Sequence, residues 1–352
     1  MRPEAPASPL RLTIDGTALA ANWRALDRLS GPARAGAAVK ANAYGVGVAA
    51  VAPVLRDAGC ADFFVAHWAE VADLLEHVPA SQIAVLHGPL TPADAAYARA
   101  VGVRPVINSL HQARLWHDAG GGACDLMVDT GINRLGVGLA DLSDPLIAAL
   151  EIDVLHSHLA AAEEADNPRN PAQLERWQAA QAQVTHRRAA LANSAGIALG
   201  GEYLGGLTRP GLALYGGVPC AALAGEIRQV VRPEVAVMQV RQLQAGDSVG
   251  YNATFTALAP MRVGVVSIGY ADGYLRCWSG QGVMRCGGAD VPVLGRISMD
   301  MTVVDLTHAP AVNEGDWLEV AYALPAAAAI SGLSQYELLT LLGRRFARRA
   351  TA

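Results

Sequence analysis

Between residues 34 and 217 the chain repeats one pattern: a short apolar run, a turn marked by Gly, Asp or Pro, and then helical periodicity. The apolar runs fall at 35–40, 63–66, 83–87, 103–107, 125–129, 154–158, 190–194 and 212–215, with helical stretches such as 48–58, 91–100, 109–119 and 172–188 between them. Runs of four to six apolar residues bounded by turn residues suit strands covered on both faces, as parallel strands under helices are. Eight strand-then-helix units predict a (β/α)8 barrel of the TIM type. A doubly wound open sheet is the alternative, but no Gly-x-Gly-x-x-Gly turn follows the first strand.

Beyond about residue 226 the helical spacers disappear. Apolar or alternating runs at 230–243, 262–268, 282–285, 291–294, 302–306 and 317–320 follow one another across Gly, Pro and Asp turns, and a helix is expected near 334–345. The expected organisation is therefore an α/β chain: an extended or disordered tail over 1–10, a barrel over 11–226, and a mostly β domain over 227–352. The Ala-rich patch at 326–330 is too short to count as low complexity.

Composition narrows the class. The chain has 352 residues, 52% of them hydrophobic, and a net charge of −5, which suits a globular protein with a large core. The basic residues form no stripe, so nucleic acid is not the expected partner; Arg344, Arg345, Arg348 and Arg349 read as a solvated helix face. No apolar stretch is long enough to span a bilayer, and the Pro- and Ala-rich start has no signal-like apolar core. Five scattered cysteines without a Cys-x-x-Cys pair suggest reduced thiols in the cytoplasm. The nine histidines show no paired ligand spacing beyond His156 and His158, so no dedicated metal site is expected.

The basic residues number 27, and only Lys40 is a lysine; the other 26 are arginines. Arginine supplies charge but keeps its proton, whereas an amine can form an imine or carry a proton. Lys40 closes the first buried run and precedes a Gly-punctuated turn. Shifting its pKa from about 10.4 to near 7 would need roughly 5 kcal/mol of destabilisation of the cation. In a barrel, the polar residues at strand ends share one mouth. These are Lys40, Arg134, His158, Asn193 with Ser194, and Arg209 with Gly211. Taken alone, His158 reads as a hydrogen-bonded core histidine and Arg134 as a surface ion-pair partner; their convergence on the one lysine favours a site. Ser194 and the amides around Gly211 can cradle phosphate, Tyr44 adds a phenol, and Lys40 can form an imine. Together they describe a site for pyridoxal 5′-phosphate.

The chain resembles the alanine racemase family over nearly its whole length after Leu10. The matching segments are Val39-Lys40-Ala41-Asn42-Ala43-Tyr44-Gly45, residues 129–136, Ser157-His158-Leu159-Ala160, Ala192-Asn193-Ser194-Ala195 and Arg209-Pro210-Gly211. The second half matches at Val249-Gly250-Tyr251-Asn252-Ala253-Thr254, at residues 267–273 and at Gly295-Arg296-Ile297-Ser298-Met299-Asp300. The resemblance implies a head-to-tail homodimer that interconverts L- and D-alanine by a two-base route through an external aldimine, each site completed by the partner's β domain. It assigns Lys40 the cofactor imine and one acid/base role, and Tyr251 of the partner subunit the other. Tyr44, His158, Asn193, Ser194, Arg209, Gly211 and Leu212 are then cofactor residues, with Arg209 facing the pyridine nitrogen and His158, backed by Arg209, supporting Tyr251. Arg134 and Met299 are expected on the substrate carboxylate, and Tyr270 at the entrance.

Two positions depart from the family pattern. Met127 stands where many members carry a carbamylated lysine that orients the arginine matching Arg134, so a bound anion or Asn133 is expected to take that part. Arg344 stands where many members have a phosphate-binding tyrosine. Neither change removes a proton-transfer group. The alternatives are a broad-specificity or serine-type racemase of the same fold, a barrel decarboxylase and a non-catalytic carrier of the cofactor. The last two fit poorly with Tyr251 and His158 in place.

Overall fold

The computed structural model describes residues 6–351. Residues 17–228 form one compact unit; residues from Gln229 onward, with the segment through Gly16, form the other. Residues 1–5 of the expected tail lie outside the described residues.

In the first unit, seven parallel strands are neighbours in chain order: Ala37–Ala38, Phe63–Val65, Ile83–Val85, Arg104–Ile107, Ala123–Met127, Glu151–His156 and Arg188–Ala190. Helices such as Val48–Ala58, Pro92–Val101, Leu110–Asp118 and Arg169–Gln183 follow them. The eighth position is Leu207–Thr208, which pairs in parallel with Arg34–Ala35. The N–H of Gly206 donates to Ala189 O (2.9 Å), that of Gly36 to Thr208 O (2.9 Å) and that of Ala38 to Pro210 O (2.9 Å), which joins the last strand to the first.

The eighth strand expected at 212–215 is instead the 3₁₀ helix Leu212–Tyr215, wholly buried. Four consecutive apolar residues give the same signal in a buried strand and a buried helical turn. The preceding Pro210 has no N–H to donate, and Gly211 turns the chain at φ −132°, ψ −83°. Likewise the run expected at 190–194 is strand only to Ala190; Asn193 then caps the helix Ser194–Leu199 by accepting from the Gly196 N–H at 2.8 Å.

Two layers fill the barrel. One is apolar and takes a side chain from each of seven strands: Phe64, Ala84, Val106, Met127, Val154, Ala190 and Leu207. The other lies toward the strand starts and is ionic. Arg188 meets Asp62 at 2.8 Å and Asp153 at 2.7 Å, and Arg104 reaches Asp62 at 3.0 Å. The Nε of Arg104 lies 3.3 Å from Asp125 Oδ1 without hydrogen-bond alignment.

The second unit is built on the 13-residue strand Val231–Leu243. It pairs antiparallel with Leu10–Asp15, Met261–Val266 and Trp317–Val320, while Ala347–Thr351 adds in parallel to Leu10–Asp15. Leu10–Asp15 thus belongs to this sheet, although the sequence reading began the barrel at residue 11; its strict in-out alternation suits a sheet with one covered face. The helix expected at 334–345 is present but ends early, as Gln335–Thr340, an unexpected helix, Leu324–Ser331, precedes it, and the expected arginine face is not helical. Arg348 and Arg349 lie on the last strand. Arg345 grips Asp272 at 2.6 and 2.8 Å and Asp300 at 2.7 Å. Among the described residues no helix is long and apolar enough to cross a membrane.

Candidate active site

The first strand ends at Ala38, and Lys40 opens a turn whose next four residues, Ala41, Asn42, Ala43 and Tyr44, all have φ between 53° and 56°. A left-handed turn of L-residues costs about 1–2 kcal/mol per residue, so something must hold it. The Ala43 N–H donates to Val39 O (2.7 Å), the Gly45 N–H to Ala41 O (2.8 Å), and Asn42 Oδ1 accepts from the Val48 N–H (2.8 Å). The Glu70 carboxylate accepts from the N–H groups of Ala41, Ala66 (2.8 Å) and His67 (2.9 Å), tying the turn to the next strand's loop.

Lys40 is partly buried. Burial lowers its pKa first, then the charge of Arg134, with Arg209 adding to the same direction and Glu70 opposing. The sole amine is thereby eased toward its neutral, nucleophilic form.

Arg209 is buried and its ends are fully directed. Its Nη1 donates to Ala190 O and lies 3.2 Å from Nδ1 of His156, and its Nη2 donates to Ser157 O. Among the described residues its Nε has no partner. None of these bonds reaches His158, so the expected backing of His158 by Arg209 is not a hydrogen bond here. His158 is held through its carbonyl, which accepts from Gln173 Nε2 at 3.0 Å. Burial, then the charges of Arg209, Arg134 and Lys40, push its pKa down to about 3, which keeps the ring neutral.

Ser194 Oγ accepts from the N–H groups of Gly211 (2.9 Å) and Ala213 (3.2 Å), so the hydroxyl and two amides converge. The Gly211 backbone runs beneath Tyr44: a Cβ there would sit 2.2 Å from the Tyr44 hydroxyl. Burial raises the Tyr44 phenol to about 12, leaving it a donor. Leu212, next in the chain, is buried in the same turn.

The loop carrying Arg134 is fixed by a residue the sequence reading passed over. Asp129 Oδ1 accepts from the N–H groups of Gly131 (2.8 Å), Ile132 (3.0 Å) and Asn133 (3.1 Å). Asn133 has φ 54° and serves the turn, not the Arg134 side chain; Met127 packs in the apolar layer. Gln173 joins this loop to the one carrying His158, bonding Thr130 Oγ1 (3.1 Å) and the Ala160 N–H (2.8 Å). A helix-face glutamine gives no signal of such a role. Asp125 did give one: a charged residue inside a buried run must have a partner, which is His156 at 3.1 Å.

In the second unit Tyr251 is 65% exposed and Met299 52% exposed. Tyr270 and Met299 sit on loops laced together: the Tyr270 N–H donates to Ser298 O (3.1 Å) and the Ala271 N–H to Met299 O (3.0 Å). Arg345 clamps the same two loops through Asp272 and Asp300. Arg344 is exposed. Among the described residues no three His, Cys, Asp or Glu side chains gather to hold a metal.

The alanine racemase N-terminal domain family matches residues 14–219 and the alanine racemase C-terminal domain family matches residues 230–350. The alanine racemase of Acidiphilium cryptum is 40% identical over 349 residues, covering 96% of this chain and 97% of its own length. That of Rhizobium meliloti is 41% identical over 371 residues, covering 98% of each. The crystal structure of alanine racemase from Bartonella henselae with covalently bound pyridoxal phosphate superposes with a TM-score of 0.89 at 34% identity, covering 98% of this chain and 100% of that one.

Proposed function

The chain belongs to the alanine racemase family and is a pyridoxal-phosphate isomerase that interconverts L- and D-alanine, and we propose that Lys40 and Tyr251 of the partner subunit are its two proton-transfer groups. The observation that carries the assignment is the placement of the one lysine at the end of the first strand beside Arg134, Arg209 and His158, where burial and the two guanidinium charges favour its neutral amine.

The residues fit the cofactor on their own geometry. The Ser194 hydroxyl, oriented by accepting from the Gly211 and Ala213 amides, keeps its hydrogen for a phosphate oxygen, Leu212 lies in the same turn, and the Tyr44 phenol adds a donor above Gly211. The unpartnered Nε–H of Arg209 suits a ring nitrogen with a free lone pair. Asn193 shapes this end by capping the helix that Ser194 opens. When bound, pyridoxal phosphate supplies an aldehyde that condenses with amines and a ring that draws charge from the substrate's α-carbon. Lys40 supplies the amine that holds the aldehyde and moves a proton on one face of that carbon. Tyr251 moves one on the opposite face, its phenolate stabilised by the ring of His158. Arg134 and the Met299 backbone orient the carboxylate, and Tyr270 narrows the entrance to a small side chain. Tyr251, Tyr270 and Met299 act from the second copy of a head-to-tail homodimer in the cytoplasm; the exposure of Tyr251 and Met299 leaves them available to it.

Incubation with L-alanine in heavy water tests this, with α-deuterium and D-alanine both followed. Deuterium uptake together with D-alanine is expected. Uptake without D-alanine overturns the two-base assignment. Lys40→Arg should abolish the visible absorbance of the lysine-bound cofactor, and Tyr251→Phe should keep it.

A further inference from the structure

Arg209 is one end of a buried chain of contacts running into the barrel. Its Nη1 lies 3.2 Å from His156 Nδ1, and His156 Nε2 lies 3.1 Å from Asp125 Oδ2. His156 and Asp125 are 0% exposed. A guanidinium has donors only, so His156 Nδ1 must be the acceptor and Nε2 must carry the hydrogen. The ring is then a neutral bridge that accepts from the arginine and donates to the carboxylate. Phe64 packs edge-on against it with centroids 5.7 Å apart, fixing its plane.

The carboxylate is also committed on its far side. Asp125 Oδ1 accepts from the Val154 N–H at 3.2 Å and lies 3.3 Å from Arg104 Nε. Every neighbour of Asp125 is therefore a donor, and no amide could replace it without a mismatch. Counting along the linked contacts, Asp62, Asp125 and Asp153 stand against Arg104, Arg188 and Arg209, so the cation at the mouth completes a neutral set of three and three. The charged and titratable groups around Arg209 and His156 are Lys40, Arg134 and His158 on one side and Asp125 and Arg104 on the other.

Resting on the reading that Arg209 faces the ring nitrogen of pyridoxal phosphate, we propose that His156 and Asp125 are positioning residues that aim Arg209 and keep that nitrogen unprotonated. The aim follows from the bonds already made. With both hydrogens of Nη1 held by His156 and Ala190 and one of Nη2 by Ser157, two remain, one on Nη2 and the one on Nε, and the Nε–H needs an acceptor lone pair. A protonated pyridine offers none. Protonating His156 would remove the acceptor for Nη1 and set a cation between two arginines. Burial first, then the charge of Arg209, holds its pKa down to about 4 despite the hydrogen bond it donates to Asp125, so the bridge stays neutral across the working range.

The test uses holoenzyme loaded with pyridoxal phosphate carrying nitrogen-15 in its ring. In the unaltered protein the ring-nitrogen resonance should stay at its unprotonated position from pH 6 to 9. His156→Leu should let it titrate in that range and weaken cofactor binding about tenfold, the loss of one hydrogen bond to a charged group. His156→Gln, which keeps an acceptor and a donor on one side chain, should restore both. A resonance and pH profile in folded His156→Leu identical to the unaltered protein would overturn the proposal. If that variant does not fold, histidine-selective nitrogen-15 spectra of the unaltered holoenzyme decide the matter. His156 should appear as the neutral Nε2–H tautomer from pH 5 to 9, and an Nδ1–H tautomer or titration near 6.5 overturns the bridge. A visible cofactor band that survives Lys40→Arg would instead overturn the reading beneath, whatever the ring nitrogen does.

Discussion

The two ends of the barrel use the same residue types in opposite ways. Toward the strand starts, Asp62 and Asp153 satisfy Arg104 and Arg188 at 2.7–3.0 Å, and every charge has a counter-charge in reach. At the strand ends Lys40 and Arg134 gather beside Arg209, whose own charge is balanced through His156 by Asp125, and Glu70, the carboxylate beside the lysine, is turned to backbone amides. The paired end holds strands together; the unpaired end is a field of positive charge that an anionic cofactor and a carboxylate substrate would complete. The backbone repeats the contrast. The starts are regular strand, while the ends carry the left-handed turn of Ala41–Tyr44 and the positive φ of Asn133. Strain and unbalanced charge lie at the end proposed to bind ligands, and the paired charges lie at the other.

Substitutions should separate the two ends. The largest effect is expected from the group proposed to reach the mouth from the partner subunit: Tyr251→Phe should lower kcat by about 10²–10⁴ in both directions, with the thermal midpoint unchanged. A loss of stability in step with activity would erase the distinction. Next comes Arg188→Met, which leaves Asp153 without its hydrogen-bonded arginine and Asp62 with Arg104 alone. Urea unfolding should show about 3–5 kcal/mol of destabilisation, while the protein that remains folded keeps its lysine-bound cofactor band.

Acid should act through the buried histidines that link the ends. The pKa of His156 is lowered to about 4, below its unfolded value near 6.5, so the unfolded chain binds the extra proton between those values. Stability is full above 6.5 and is lost as pH falls toward 4, by about 3 kcal/mol for this one group. Urea midpoints measured from pH 7 to 4 should trace that slope, and His156→Gln should flatten it. The smallest effect is a gain. Lys40→Met in protein stripped of cofactor should be more stable at neutral pH, because a lysine with lowered pKa penalises the fold while it is charged. The gap should narrow as pH rises toward 10.5, where the unfolded chain loses the same proton.

Much of this was legible from the chain because each signal was local. Trp317–Val320 and Val48–Ala58 announce themselves by periodicity, and Lys40 by being the one amine. What was not legible depends on partners far along the chain. Leu212–Tyr215 reads as strand because apolar content cannot report helical pairing, and the ring had already closed at residue 210. Arg345 reads as a solvated arginine until Asp272 and Asp300 are brought to it from 73 and 45 residues away. Glu70 and Gln173 look like ordinary surface polar residues. Their work is to accept from or bridge backbone groups of other loops, which a linear pattern does not encode.

The strand Leu10–Asp15 carries a consequence for how the molecule is made. It is made before the barrel strands, yet its two neighbours, Val231–Leu243 and Ala347–Thr351, are made after them. For most of synthesis its alternating Leu10, Leu12 and Ile14 have no sheet to enter, while the seven consecutive barrel strands can pair as each emerges. Barrel pairing is sequence-local and quick, whereas the strand that precedes it must wait some 220 residues for its first hydrogen bonds. That unsatisfied edge is the segment a nascent-chain chaperone would have most reason to shield.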